Sequence, residues 1–345
     1  KGIDALFQGG QQQNKKPLQS LCSLPDLGLS ICRPVLCEAD TTLIEYIKIC
    51  RVDHWLKNIF ILFGHFVALV LYYDLELPPG FILNALLSLA PACLIASSYY
   101  ILNEILDAPF DALHPAKKMR GIPAGKVKVP ILWAVMAMLL ASGFMLAWLL
   151  FDNPLYCVSL GLLMLFALLY NIPPIRLKDK AFLDVISESI NNPLRLLLGW
   201  YAVVPAGVTA LPPLSIILAW WFFGALLMTG KRYSEYRFIN DDDISGSYRK
   251  SFRIYNEQRL IMAMIGYACL FCFCTGIAMA IYEPLNNLVM VFPIILLAIM
   301  AYFRHAMKED TARLEPEKLL ANPLIVAATI LTGIISVWLL YAQKH

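Results

Sequence analysis

Apolar residues along this chain gather into nine long runs, near positions 58–73, 80–102, 129–151, 154–172, 182–205, 214–230, 258–282, 285–303 and 322–342, each closed by a short polar stretch. A run of about 20 apolar residues is what a helix needs to cross the hydrocarbon core of a bilayer. The pattern predicts nine transmembrane helices, with the first and sixth runs the least sharply bounded. Ahead of them, TTLIEY places Thr42 as N-cap with Glu45 three positions on, a capping-box spacing. Leu43, Ile44, Ile47 and Ile49 to Cys50 then give a short helix an apolar side, suited to lying along the membrane surface before the chain enters the bilayer. Residues 1–40 are polar and without period, so they are expected to form a flexible extension with no signal-peptide pattern, and residues 41–345 a single membrane domain.

Composition strengthens the picture. Hydrophobic residues make up 59% of the 345 and charged residues 15%, against about 25% charged in soluble domains. Lysine and arginine fall in the segments on one side of the runs, except Arg195 inside the fifth run and Lys344 at the end. The opposite segments, near 74–79, 152–153, 206–213 and 283–284, carry none. The positive-inside rule therefore sets the N-terminus and the long basic loops in the cytoplasm, with the chain integral to an inner or plasma membrane. A net charge of +3 suits anionic membrane lipids, and no nucleic-acid partner is implied. Nine cysteines lie in the apolar runs or in the N-terminal segment, with no paired histidine spacing. They read as small apolar fillers. No internal repeat is evident, and monomer and homo-oligomer are both left open.

The chemistry lies where hydrophobic runs end. NEILDAPFD, residues 103–111, places Asn103, Asp107 and Asp111 at i, i+4 and i+8 of a helix, with Glu104 beside them. Pro109 is expected to bend or unwind the last turn. Acids this close repel one another unless a cation sits among them. Hard carboxylate oxygens around an open centre suit Mg2+, which prefers one or two protein carboxylates plus substrate phosphate oxygens. The plain alternative is a solvated acidic helix end.

Its neighbours favour the metal. His114, Lys117, Lys118 and Arg120 follow at once, as a metal-bound diphosphate requires, whereas Lys126 and Lys128 read as topological anchors. Further on, Tyr170, Arg176, Lys178 and Asp179 lead into the fifth run. There Asp184, Glu188, Asn191 and Arg195 share one helical face. Ionisable groups inside a membrane helix normally face a polar cavity or a partner, and a structural Glu188–Arg195 bridge is the competing reading. GKRYSEY contributes Lys231, Arg232 and Glu235, ahead of a hydrated Asp241–Asp242–Asp243 loop, and RVDHWLKN brings Arg51, His54, Lys57 and Asn58 to one side before the first run, with Trp55 as an interfacial anchor.

Taken in order, these motifs resemble the UbiA-type superfamily of intramembrane prenyltransferases, whose first motif is NDxxDxxxD, and within it the decaprenyl-phosphate phosphoribosyltransferase branch. RVDHWLKN is similar to that branch's RPxQWxKN, HPAKKMRGIPAG to HPxKxxRPIxxG, YNIPPIRLKDKAFLDV to a YxxxLK…LLDV element, and GKRYSE to GKRxxE. The departures are Glu104 for Asp, His54 for Gln, Val52 for Pro and Gly121 for Pro. The resemblance runs from about residue 43 to the C-terminus. It implies an all-α bundle of about nine transmembrane helices with the active site at the cytoplasmic helix ends.

It also implies Mg2+ on Glu104, Asp107 and Asp111 with Asn103 positioning, and phosphates held by Lys57, Lys117, Arg120, Lys178, Lys231 and Arg232. Asn58, Tyr170, Asp184, Glu188, Arg195 and Glu235 complete the substrate site. The substrates would be an isoprenoid lipid phosphate and a soluble diphosphate, phosphoribosyl diphosphate. An ordinary prenyltransferase, ionising a prenyl diphosphate for an aromatic acceptor, makes the same demand on the acids. A lipid or small-molecule transporter with a polar midplane site around Glu188 and Arg195 is a third class, disfavoured because NEILDAPFD sits at a helix end.

Overall fold

A computed structural model describes residues 43–112, 117–239, 250–307 and 322–344. All of them belong to one compact unit, Thr42–His345. The capping position Thr42, His114 and the Asp241–Asp243 triple lie outside the described residues, and so does the extension before Thr42. Among the described residues every regular element is a helix and none is a strand. In chain order the helices are α1 (43–49), α2 (Ile61–Leu71), α3 (Phe81–Leu87), α4 (Leu89–Asp111), α5 (Val129–Leu150), α6 (Pro154–Asn171) and α7 (Leu183–Ser189). They continue with α8 (Asn191–Val203), α9 (Leu214–Ile239), α10 (Glu257–Ile281), α11 (Phe292–Ala306) and α12 (Pro323–Lys344).

Eight helical stretches among the described residues are long and apolar enough to cross a membrane. The chain is an integral membrane protein. The fifth apolar run is helical too, but Ile190 divides it into α7 and α8. Two spans also begin as tighter 3-10 helix, Val52–Phe60 before α2 and Glu283–Val291 before α11.

Burial distinguishes the layers. Over half of the apolar window of Phe81–Asp111 is buried (56%), against 11% for Val129–Leu150 and 6% for Pro323–Lys344. The 81–111 span is therefore interior, and α5 and α12 turn most of their surface outward. In a bilayer, burial between helices gains little from water exclusion, so close approach of backbones carries the packing. The α2–α8 crossing is built that way. A Cβ on Gly64 would fall 2.1 Å from the Leu196 carbonyl oxygen, and one on Gly199 would fall 2.1 Å from that of Ile61. This contact draws α8, with its polar residues, into the bundle. In α1, Leu43, Ile44 and Ile47 are exposed, whereas Ile49, expected on the same apolar side, is buried in a cluster with Ile101, Val127 and Leu132.

Candidate functional site

A cavity of about 240 Å³ opens among the ends of α4, α6, α7, α8 and α9 and the 3-10 segment Val52–Phe60. Eight basic and five acidic side chains line it. Such a surplus of positive charge suits anionic ligands.

The 103–111 motif contributes one wall. Asn103, Asp107 and Asp111 all line the cavity. Pro109 does not unwind the helix as expected, for α4 continues regularly to Asp111. A proline so near the end removes a single donor from the ladder. Asp107 Oδ1 accepts from Lys178 Nζ at 2.5 Å and from Arg176 Nη2 at 3.1 Å. Lys178, only 5% exposed, also donates to Asn171 Oδ1 at 2.9 Å and reaches Asn103 Oδ1 at 3.4 Å. Asp111 Oδ2 pairs with Arg120 Nη1 at 2.9 Å. Glu104 stands on the edge of this stripe and off the cavity wall, buried, with Arg51 Nη2 at 3.1 Å and Arg120 Nη1 at 3.6 Å.

The RVDHWLKN segment reaches the site because it is 3-10 rather than α. At three residues per turn, positions 51, 54, 57 and 60 align. Arg51, Lys57 and Phe60 line the cavity, and the His54 ring packs on Tyr100, another lining residue, at 5.2 Å between centroids. Asn58 points into the bundle, accepting from Arg195 Nε at 3.0 Å and donating to Cys93 Sγ at 3.2 Å. Trp55, expected as an interfacial anchor, donates its indole N–H to Ser97 Oγ at 2.9 Å.

A second cluster is centred on Glu188. It accepts from Tyr170 at 3.1 Å, Lys231 at 3.1 Å and Arg232 at 2.5 Å. Arg232 is almost wholly buried and bonds as well to Asp184 (Nε, 2.9 Å), Glu235 (3.3 Å) and the Tyr170 hydroxyl (3.2 Å). Asp184 is fully buried and accepts from the Tyr255 hydroxyl and, at 3.5 Å, from Ser251 Oγ. Burial pushes the Tyr255 phenol well above its ordinary range, and the adjacent Asp184 carboxylate adds to the effect. It is thus a neutral donor.

The geometry brings together Asn103, Asp107, Asp111, Lys57, Arg120, Tyr170, Lys178, Glu188, Arg195, Lys231, Arg232 and Glu235 around one space, with Asp184 and Asn58 directly behind them. The Lys117 side chain lies outside the described residues. Sequence reasoning left Asn171, Asn192, Ser251 and Tyr255 out of the site. Ser251 and Tyr255 meet Asp184 across 67 and 71 residues, a pairing that only tertiary packing creates.

Next to this cavity is a second, of about 290 Å³, with an almost wholly apolar lining that includes Phe63, Trp220, Phe223, Phe271 and Ile295. One face of α9 serves both. Ile216, Ala219, Trp220 and Phe223 line the apolar space, and Gly224, Leu227, Met228 and Lys231 continue into the polar one. Phe63 and Trp220 stack at 4.2 Å near the changeover.

Residues 60–326 match the UbiA prenyltransferase family. The decaprenyl-phosphate phosphoribosyltransferase of Mycolicibacterium smegmatis is 27% identical over 237 residues, covering 66% of this chain and 68% of the relative. The enzyme of the same name from Corynebacterium glutamicum is 27% identical over 220 residues, covering 62% and 60%. Among solved structures, a UbiA homolog from Archaeoglobus fulgidus bound to DMAPP and Mg2+ superimposes with a TM-score of 0.63 at 18% identity, covering 87% of this chain and 97% of that one. The apo UbiA homolog from Aeropyrum pernix K1 gives 0.58 at 17% identity, over 82% and 97%.

Proposed function

Because the chain belongs to the UbiA prenyltransferase family and is a membrane transferase, we propose that it moves a 5-phosphoribosyl group from phosphoribosyl diphosphate to a polyprenyl phosphate, releasing diphosphate. The names of its relatives support this choice of substrates. The observation that carries it is the supply of cations. Arg120, Arg176 and Lys178 gather around Asp107 and Asp111, and Lys57, Arg195, Lys231 and Arg232 line the same cavity. A prenyl diphosphate with a neutral or aromatic acceptor needs only the first group. Two phosphate-bearing substrates need both.

The residues present fit Mg2+. Asn103, Asp107 and Asp111, one amide and two carboxylates, offer hard oxygens on one wall. That is the donor set of an ion held by one or two carboxylates and completed by substrate phosphate. When bound, Mg2+ supplies neutralisation of the leaving diphosphate. Glu104, through Arg51 and Arg120, orients the cations beside it.

The chain's own groups do the rest. Arg120, Arg176 and Lys178 give charge-assisted hydrogen bonds to the diphosphate oxygens. Lys57, Arg195, Lys231 and Arg232 receive the lipid phosphate and the 5-phosphate. The ribose C1–O bond breaks with its electron pair going to diphosphate, and an oxygen of the lipid phosphate bonds to C1. That oxygen is already ionised at neutral pH, so no protein base is required. The isoprenoid chain extends along α9 into the apolar cavity, and the polar mouth faces the cytoplasm as the positive-inside rule directs.

The test is incubation of purified protein with Mg2+ and either a radiolabelled polyprenyl phosphate plus phosphoribosyl diphosphate, or a prenyl diphosphate plus an aromatic acid. Product from the first mixture is expected. Product from the second alone overturns the ribosyl assignment.

A further inference from the structure

Asn192 stands apart from the charge network of the cavity. It lines the wall, is 8% exposed, and its carboxamide makes no hydrogen bond among the described residues. Its place follows from the division of the fifth span. Since α7 ends at Ser189 and α8 begins at Asn191, Asn191 and Asn192 open the second helix between Glu188 and Arg195. The side chain is wedged against α9. A Cβ built on Gly224 would fall 2.3 Å from Asn192 Nδ2 and 3.0 Å from its Cγ, so the absence of a side chain at 224 creates the seat.

With no partner from the protein, the carboxamide on the cavity wall is left to bond with whatever occupies that space. A carboxamide offers one acceptor oxygen and two donor hydrogens. Phosphates and metal do not need it, because eight basic side chains and the acids already serve them. Within the ribosyl transfer proposed above, on which this inference rests, the part of the donor still unmatched is the ribose ring. Its C2 and C3 hydroxyls each donate and accept, as the carboxamide does. A prenyl group carries no such partner.

We propose that Asn192, seated on Gly224, hydrogen-bonds a ring hydroxyl of the phosphoribosyl donor and so selects a hydroxylated sugar. Asn191, also on the cavity wall, occupies the adjoining position. The carboxamides of this pair read the neutral part of a substrate whose charged parts the arginines and lysines read.

The experiment uses the full-length chain in lipid nanodiscs with Mg2+, a polyprenyl phosphate acceptor, and three donors: phosphoribosyl diphosphate and its 2-deoxy and 3-deoxy analogues. Wild-type protein is expected to use one deoxy donor about ten- to a hundredfold less efficiently, the range for leaving a buried polar group unmatched. Asn192→Ala is expected to lower kcat/KM for the full donor by a similar factor, to leave KM for the lipid phosphate unchanged, and to treat that deoxy donor and the full donor alike. Gly224→Ala, which pushes the carboxamide from its seat, is expected to lose the same discrimination, and it decides the matter if Asn192→Ala does not give a monodisperse protein. A wild type indifferent to both hydroxyls, or variants that discriminate as wild type does, overturns the proposal while ribosyl transfer stands. A wild type that makes no ribosyl product from any donor removes the ribosyl reading itself and this inference with it, an outcome distinct because wild-type turnover is then missing.

Discussion

Replacing Tyr255 with Phe separates architecture from chemistry at this site. The hydroxyl donates to Asp184 and accepts the Phe182 N–H at 2.8 Å. Tyr255 is 4% exposed and Asp184 fully buried, so water does not replace the lost bond. A hydrogen bond to a charged group contributes about 1.5–3 kcal/mol, and a neutral one about 1. Phe182 is held at φ 64, in the left-handed region, so losing the acceptor for its N–H also loosens a backbone that costs energy to maintain. The variant should therefore lose about 2–4 kcal/mol of unfolding free energy in a denaturant titration in mixed micelles. Catalysis should fall less than about fivefold, because Arg232 keeps Glu188, Glu235 and Tyr170. The stability difference should be constant from about pH 6 to 9. With the folded pKa raised above the ordinary value of about 10, the phenol's contribution is fully present below that pH and is lost as pH climbs towards the folded pKa. A variant within about 0.5 kcal/mol of wild type would refute the reasoning. So would a hundredfold loss of kcat at unchanged stability.

Three further outcomes are expected. Asp107→Asn keeps the shape of the side chain but removes the charge facing Lys178 and Arg176, and kcat/KM should drop by about a hundredfold or more in the labelled-lipid assay. Glu104→Gln releases Arg51 and Arg120 from a buried carboxylate. Because both arginines are partly solvated, it should cost about 1–3 kcal/mol of stability, and titration of activity with Mg2+ should show an unchanged midpoint. Gly64→Ala sets a methyl 2.1 Å from the Leu196 carbonyl oxygen, so α2 and α8 must separate. About 1–3 kcal/mol should be lost, seen as reduced recovery of monodisperse protein, whereas Gly161→Ala, with open space around it, should behave as wild type.

The spans were legible because bilayer thickness and apolar composition limit where a membrane helix can run. The run at 129–151 is the helix Val129–Leu150, and 258–282 is Glu257–Ile281. The 3-10 turns before α2 and α11 were not legible, since α and 3-10 ladders differ in hydrogen-bond register and not in the residues they bury. Part of the site followed from helix arithmetic. At about 100° per residue, Asn103, Asp107 and Asp111 drift slowly around α4 and Glu104 falls at the edge of their stripe, near Asp111. Periodicity could gather the three acids and the amide on one side. It could not tell that Arg51, arriving from a 3-10 turn, and Arg120 would enclose Glu104 off the cavity wall, while Asp107 and Asp111 line the cavity beside Lys178, Arg176 and Arg120.

The division of the fifth span at Ile190 connects these results. In hydrocarbon, every backbone group needs a partner, so an interrupted helix is tolerated where it is enclosed by protein or lines a polar space. Ser189, Asn191 and Asn192 surround the interruption and line the cavity. Pro193, in the first turn of α8, lacks the N–H that an unbroken helix would have used at that point. The residues that looked misplaced in an apolar run, Asp184, Glu188, Asn191 and Arg195, and with them Asn192, are thus brought to the site by the same local feature that ends one helix and begins the next. Filling the interruption by Pro193→Ala would restore a donor to the ladder. If the division orients the carboxamides, that change should rotate α8 relative to α7 and reduce activity without lowering thermal stability, whereas a loss of stability at full activity would mean that Pro193 serves packing alone.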